Sequence, residues 1–191
     1  GRRQPRRRGH GAAAPRPRDD PPSGGNACRY GGGEAHPQRV AIEGGSAGGF
    51  TTLACLCFTD VFQVGACRYA VSDLMALASE THRFEARYLD GLVGAWPQER
   101  NRYQKRSPLH HADRIRCPVI FFQGLKDKVV VPEQTERMAA ALRSNGVPVE
   151  ARTYAEEGLG CRDSAVQVEV LEATEAFFRH HLRLDQPEGK T

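Results

Sequence analysis

The sequence predicts an α/β fold, a parallel sheet with flanking helices behind a disordered Arg/Pro/Gly-rich tail, and three observations predict it. From Val40 onward, apolar β-branched runs alternate with helical patterns, and strand, helix, strand, helix in that order lays the strands parallel. Pro118-Val119-Ile120-Phe121-Phe122 is apolar without alternation, as in a sheet covered on both faces. Residues 1–33 contain no Leu, Ile, Val or Phe, so that stretch has nothing with which to build a core.

A chain of 191 residues allows one domain. Hydrophobic content of 39% is low for a globular chain, and the shortage is confined to the tail. Charge is lopsided in the same way. The net is +4, but Gly1 to Asp20 holds seven Arg and two Asp, a local +5 that leaves −1 for everything after it. Clustered Arg neutralises phosphates whatever their sequence, which makes a nucleic-acid-binding arm the sharp reading of the tail. The plainer reading, a solvated tail, is preferred, and a mitochondrial presequence fails for want of an amphipathic face. No apolar run approaches the ~18 residues of a membrane helix, and no signal-peptide core is seen. Cys28, Cys55, Cys57, Cys67, Cys117 and Cys161 lack metal-ligand spacing and read as buried, reduced thiols of a cytoplasmic protein. Neither a metal nor a cofactor is expected.

The elements follow in order. His36-Pro37-Gln38-Arg39 is a turn that feeds a strand over Val40 to Glu43, and a helix runs from Thr51 to about Phe58. Val64 to Val71 is a second buried strand, ended by Ser72-Asp73. Leu74 to Leu89 is helical in pattern, and Asp90 to Ser107, with Trp96, is a polar excursion that either covers a site or is a plain surface loop. Pro118 to Gly124 is the third strand. Pro132 then opens a helix with Met138 and Leu142 on one face and Gly146 at its C-terminal end. Val147 to Tyr154 is the fourth strand, and Ser164-x-x-Gln167 is a capping box that opens a last helix with Val166, Val170, Ala173 and Phe177 at helical spacing.

The chemistry centres on Glu43-Gly44-Gly45-Ser46-Ala47-Gly48-Gly49. A serine at the apex of a sharp strand-to-helix turn is a nucleophile elbow, in which Gly44 and Gly48 are expected to lack a Cβ because strand and helix nearly collide. The helix that follows points its positive dipole end at the serine, and the Ala47 N–H can donate to an oxyanion. The competing readings are a passive glycine-rich turn or a phosphate loop. The latter wants a Lys after its last glycine, where Phe50 stands. A serine nucleophile also needs a base and an acid, and Asp127, in the loop after the third strand, stands where the acid belongs.

Glu43 to Gly49, Ser107-Pro108-Leu109-His110-His111-Ala112-Asp113, Phe122 to Val130 and Pro132-Glu133-Gln134 together resemble the catalytic domain of the prolyl oligopeptidase family of serine peptidases, nearest its acylaminoacyl-peptidase and dipeptidyl-peptidase branch. The resemblance runs from about Pro37 to about Leu182. It implies a partial α/β-hydrolase domain over 37–184, a tail over 1–36 and a short C-terminal tail over 185–191. It also implies hydrolysis of short peptides with Ser46 as nucleophile and Asp127 as acid.

The same resemblance exposes a missing part. The family's general base is the histidine of a Gly-His-Gly type motif, and here Gly158-Leu159-Gly160 places Leu159 at that position. Leucine cannot accept a proton, so activity is expected to be weak or lost, leaving either an impaired peptidase or a non-catalytic scaffold that binds a partner. His110, His111, His180 and His181 are the other histidines weighed as substitutes, and structural or helix-capping roles suit them better. The family's tyrosine donor to the oxyanion and its early strands have no counterpart before Pro37, where Tyr30 has no motif context. The abrupt change near Gly33 to Pro37 points to a shifted reading frame or gene start, and the uncovered edge of the elbow strand points to self-association.

Overall fold

The computed structural model describes residues 29, 30, 33, 34, 36, 38–80 and 86–185. The Arg-rich arm, Cys28 and the middle of the helical pattern from Leu74 to Leu89 lie outside them. β1 (Arg29–Tyr30) and β2 (Gly33–Glu34) pair antiparallel, with Arg29 opposite Glu34, inside a stretch whose composition predicts no order. A two-residue ladder uses backbone groups alone and asks nothing of the side chains.

The main sheet has four strands, β3 (Ala41–Gly45), β4 (Val64–Arg68), β5 (Val119–Gly124) and β6 (Val149–Tyr154), in the order β3-β4-β5-β6 and parallel throughout. The helices are α1 (Ala47–Phe58), α2 (Leu74–Glu80), α3 (Ala86–Leu92), α4 (Arg100–Arg106), α5 (Pro132–Ser144) and α6 (Ser164–Leu182), with a 3₁₀ segment at Pro108–Arg114. Alternation along the strands sorts the core into two layers. Cys67 and Phe121 face Leu53 and Leu56 of α1 and Met138 and Leu142 of α5. Ala66, Ile120 and Phe122 face Val170, Ala173 and Phe177 of α6 on the other side. All six residues of β5 are buried, the signature of a strand covered on both faces.

Two sequence expectations are corrected. The last helix is capped not by Ser164 but by Asp163, whose Oδ1 accepts the N–H groups of Ala165 (2.8 Å) and Val166 (3.2 Å). A carboxylate is the stronger acceptor at a positive helix end, and the Gln167 side chain turns to the Arg162 carbonyl instead (3.5 Å). Asp90 to Ser107 is not a loop throughout: it contains the end of α3 and all of α4. Buried Tyr103 organises it, donating its hydroxyl to the Gly94 carbonyl (2.8 Å) and meeting Trp96 edge-on at 5.1 Å. Of the helical pattern from Leu74 to Leu89, the described residues form α2 up to Glu80 and α3 from Ala86.

Among the described residues β3 is the end strand of the sheet, paired on one side with β4. None of the helices among the described residues is long and apolar enough to cross a membrane.

Candidate active site

Ser46 sits between β3 and α1 at φ 53°, ψ −120°, a backbone conformation that costs a non-glycine residue about 1–3 kcal/mol. Its neighbours hold it there. Ser46 N–H donates to the Arg68 carbonyl of β4 (3.0 Å), and the Ser46 carbonyl accepts the Phe50 N–H (3.0 Å) to begin α1. A Cβ on Gly44 would stand 2.3 Å from the Gly48 carbonyl oxygen, so the glycine on the strand side is required by contact. Gly48 itself is different: a Cβ there would meet nothing within 4 Å, which corrects the expectation that both glycines are sterically compelled. The constraint falls on Gly49, where a Cβ would lie 2.5 Å from the Ala70 Cβ, because this is the helix side that packs on the chain leaving β4.

The first turn of α1 carries no acidic residue to offset its N-terminal dipole. Ala47 belongs to that turn and shares with Ser46 the wall of a cavity of about 340 Å³. The rest of the wall is mostly apolar, with Phe50, Val71, Leu74 and Leu77 on one side and Leu89, Leu92 and Val93 from α3 and its end. The excursion after Asp90 therefore does wall a site. Arg106 adds a guanidinium, bonded to the Leu92 carbonyl at 3.2 Å.

Asp127 lies in the loop after β5 and is 3% exposed. Its Oδ1 accepts the N–H groups of Val129 (2.9 Å) and Val130 (3.0 Å), and both valines line the cavity that Ser46 lines. Asp127 Oδ2 is buried and has no hydrogen-bond partner among the described residues, a costly state for a carboxylate oxygen in a folded chain. The loop is braced from below: Gln123 Nε2 donates to the Val130 carbonyl (3.0 Å), and Gln123 Oε1 accepts the Thr135 hydroxyl (2.8 Å).

Leu159 lies in the turn after β6 and is 37% exposed. That turn is docked on the acid's loop, since the Lys126 N–H donates to the Glu157 carbonyl (2.8 Å) and a Cβ on Gly124 would meet the same oxygen at 2.5 Å. Just beyond it, Cys161 is buried at φ 43°. Burial pushes its thiol above the usual range, with the charges of Glu157 and Asp127 adding to the effect.

The four histidines weighed as substitutes stand elsewhere. His110 and His111 line a separate polar cavity with Asn101, Gln104 and Lys105, and the His111 ring is bonded through Nε2 to the Lys105 carbonyl at 2.8 Å. His181 packs on Phe177 at 4.3 Å near the end of α6. The Ser46 cavity is lined by none of the four.

Sequence reasoning missed the brace beneath the site. Buried Gln134 accepts the N–H groups of Ser72 (2.9 Å) and Asp73 (2.8 Å) through Oε1 and donates to the Asp73 carbonyl (3.0 Å). This pins the chain leaving β4, which supplies Val71 and Leu74 to the cavity. A signal existed: Gln134 precedes Met138 by four and so falls on the buried stripe of α5.

A parallel sheet with flanking helices and a strained serine between its first strand and the helix that follows mark a partial α/β-hydrolase fold. The sequence profile of the prolyl oligopeptidase family matches residues 31–185, and the chain belongs to that family. It is 32% identical over 157 residues to dipeptidyl peptidase family member 6 of Caenorhabditis elegans, covering 78% of this chain and 21% of that one. Dipeptidyl aminopeptidase BIII of Pseudoxanthomonas mexicana is 33% identical over 128 residues, 64% of this chain and 19% of its own length. The chain thus spans about a fifth of the curated relatives it matches. Among solved structures, a Mycobacterium tuberculosis puromycin-hydrolyzing peptidase superposes with a TM-score of 0.75 at 47% identity, over 78% of this chain and 22% of the other.

Proposed function

We propose that this chain is a serine-type peptidase domain for short peptides, with Ser46 as nucleophile, Asp127 as the acid and the Ala47 N–H as an oxyanion donor, and that its turnover is low because Leu159 occupies the position of the base. The observation that carries the reading is Ser46 itself, held at φ 53° in the wall of a 340 Å³ apolar cavity. A cavity of that size and lining suits an apolar or aromatic side chain beside the scissile bond. Puromycin, an aminoacyl amide with an aromatic side chain, is an apt trial substrate given the puromycin-hydrolyzing relative. Loss of a triad base lowers kcat by a factor on the order of 10⁶, about 8 kcal/mol of barrier. Cys57 and Cys67, buried as free thiols, support a reducing, cytoplasmic setting.

A serine-directed phosphonate tests the reading. Ser46 is expected to label slowly in the chain as it stands, quickly after Leu159→His and not at all after Ser46→Ala. Silence from Leu159→His, in protein shown to be folded, removes the reading.

A second reading, a non-catalytic scaffold that associates with a partner or with itself, draws support from β3, whose outer edge pairs with no strand among the described residues. Light scattering across a dilution series separates the two, because self-association at micromolar concentration without phosphonate labelling favours the scaffold.

A further inference from the structure

Asp127 presents an unusual balance sheet. One carboxylate oxygen is saturated by two backbone N–H groups, and the other is buried without a partner. An imidazole N–H is the natural donor for such an oxygen, and Leu159 has none to give. The surroundings converge on the elbow. The turn carrying Leu159 is bonded to the acid's loop through Lys126 and Glu157. Gly160 and Cys161, the next residues, share a cavity of about 210 Å³ with Arg68, whose carbonyl holds the Ser46 N–H. Gly158 and Gly160 flank Leu159, which is 37% exposed, and Gly160 sits at φ +97°.

We propose that Asp127 and the Leu159 turn form a receptor for an imidazole supplied by a histidine of the peptide substrate, which takes the place of the base that Leu159 does not provide. This rests on the reading of Ser46 as nucleophile. One ring N–H of the substrate's imidazole donates to Asp127 Oδ2. The other ring nitrogen takes the Ser46 hydroxyl proton as Oγ bonds to the scissile carbonyl carbon, and the carbonyl π electrons move onto its oxygen, toward the Ala47 N–H. When the C–N bond breaks, the imidazolium returns that proton to the leaving nitrogen and an acyl-serine remains. A histidine on the acyl side stays in place: its imidazole takes a proton from the water as the water oxygen bonds to the acyl carbon, and returns it to Oγ as the C–Oγ bond breaks. One on the leaving side departs with the amine, so it supports a single acylation without turnover.

The experiment uses the full chain and pairs of peptide amides that differ only in His or Gln at successive positions on either side of the scissile bond, each with and without free imidazole. A general base contributes about 10²–10⁴-fold, so an acyl-side histidine is expected to raise turnover at least 10²-fold over its Gln twin. The Asp127→Asn variant loses that ratio, and a leaving-side histidine gives a burst alone. Leu159→His cleaves both twins alike. Equal rates for the twins on the parent chain, with Leu159→His active, overturn the proposal while the Ser46 reading stands. Rescue by free imidazole but not by the substrate's own histidine overturns it as well, because the base then comes from solution. A folded Leu159→His that neither cleaves nor labels overturns both.

Discussion

The backbone N–H of Lys126 donates to the carbonyl of Glu157 across 2.8 Å, and this bond ties the loop of the candidate acid to the turn that carries Leu159. Gly124 makes the approach feasible, since a Cβ at that position would lie 2.5 Å from the Glu157 oxygen and 2.7 Å from that of Gly158. Gly124→Ala is expected to push the two loops apart at a cost of about 1–3 kcal/mol. Gly48→Ala is the control, because its Cβ meets nothing within 4 Å and alanine favours the helix by up to about 1 kcal/mol. Urea unfolding of the two variants should therefore move the midpoint in opposite directions.

Ser46 stores backbone strain at the turn between β3 and α1. Ser46→Gly is expected to relieve the φ 53° conformation, raising stability by up to about 1 kcal/mol after the entropy of a glycine is charged against it. Phosphonate labelling should vanish in the same variant. A midpoint that falls by more than 1 kcal/mol would show that the hydroxyl is structural.

Gln134 serves three backbone groups at once. Gln134→Ala leaves the Ser72 and Asp73 N–H groups buried without an acceptor, and each such group costs about 1–3 kcal/mol. The expected loss of at least about 2 kcal/mol should be accompanied by faster hydrogen exchange at Ser72 and Asp73, read by NMR or mass spectrometry.

His181 gives the stability a pH dependence. Burial lowers its pKa from the ordinary 6.5, neighbouring His180 lowers it further, and Glu150 opposes both. The folded state therefore binds its proton less readily than the unfolded chain. Stability is full above pH 6.5, falls as pH drops through that value, and levels off below the folded pKa. His181→Phe, which keeps a ring against Phe177, should flatten that limb of a stability-against-pH curve.

Much of this was legible in one dimension. The elbow, the apolar runs that became the four strands of the main sheet, and Pro132 and Gly146 at the ends of α5 are all local patterns, and local patterns act through short-range backbone preference. The misreadings were close competitions. Asp163 and Ser164 are adjacent residues that both cap helices well, and hydrogen-bond strength decided between them. Asp90 to Ser107 is rich in charge and punctuated by Gly and Pro, yet one buried tyrosine with a carbonyl partner suffices to organise it. Gly44 and Gly48 look equivalent in a motif, and only the positions of atoms distinguish them.

The sequence by itself determined the fold class and the family, and it singled out Ser46 and Asp127 as the candidate serine and acid, because order along the chain and residue type are enough for that. Tertiary structure decided the walls of the cavity, the brace from Gln134, 61 residues away from Asp73, and the unpartnered oxygen of Asp127. Each depends on which distant groups meet after burial, where a missing hydrogen bond is no longer supplied by water.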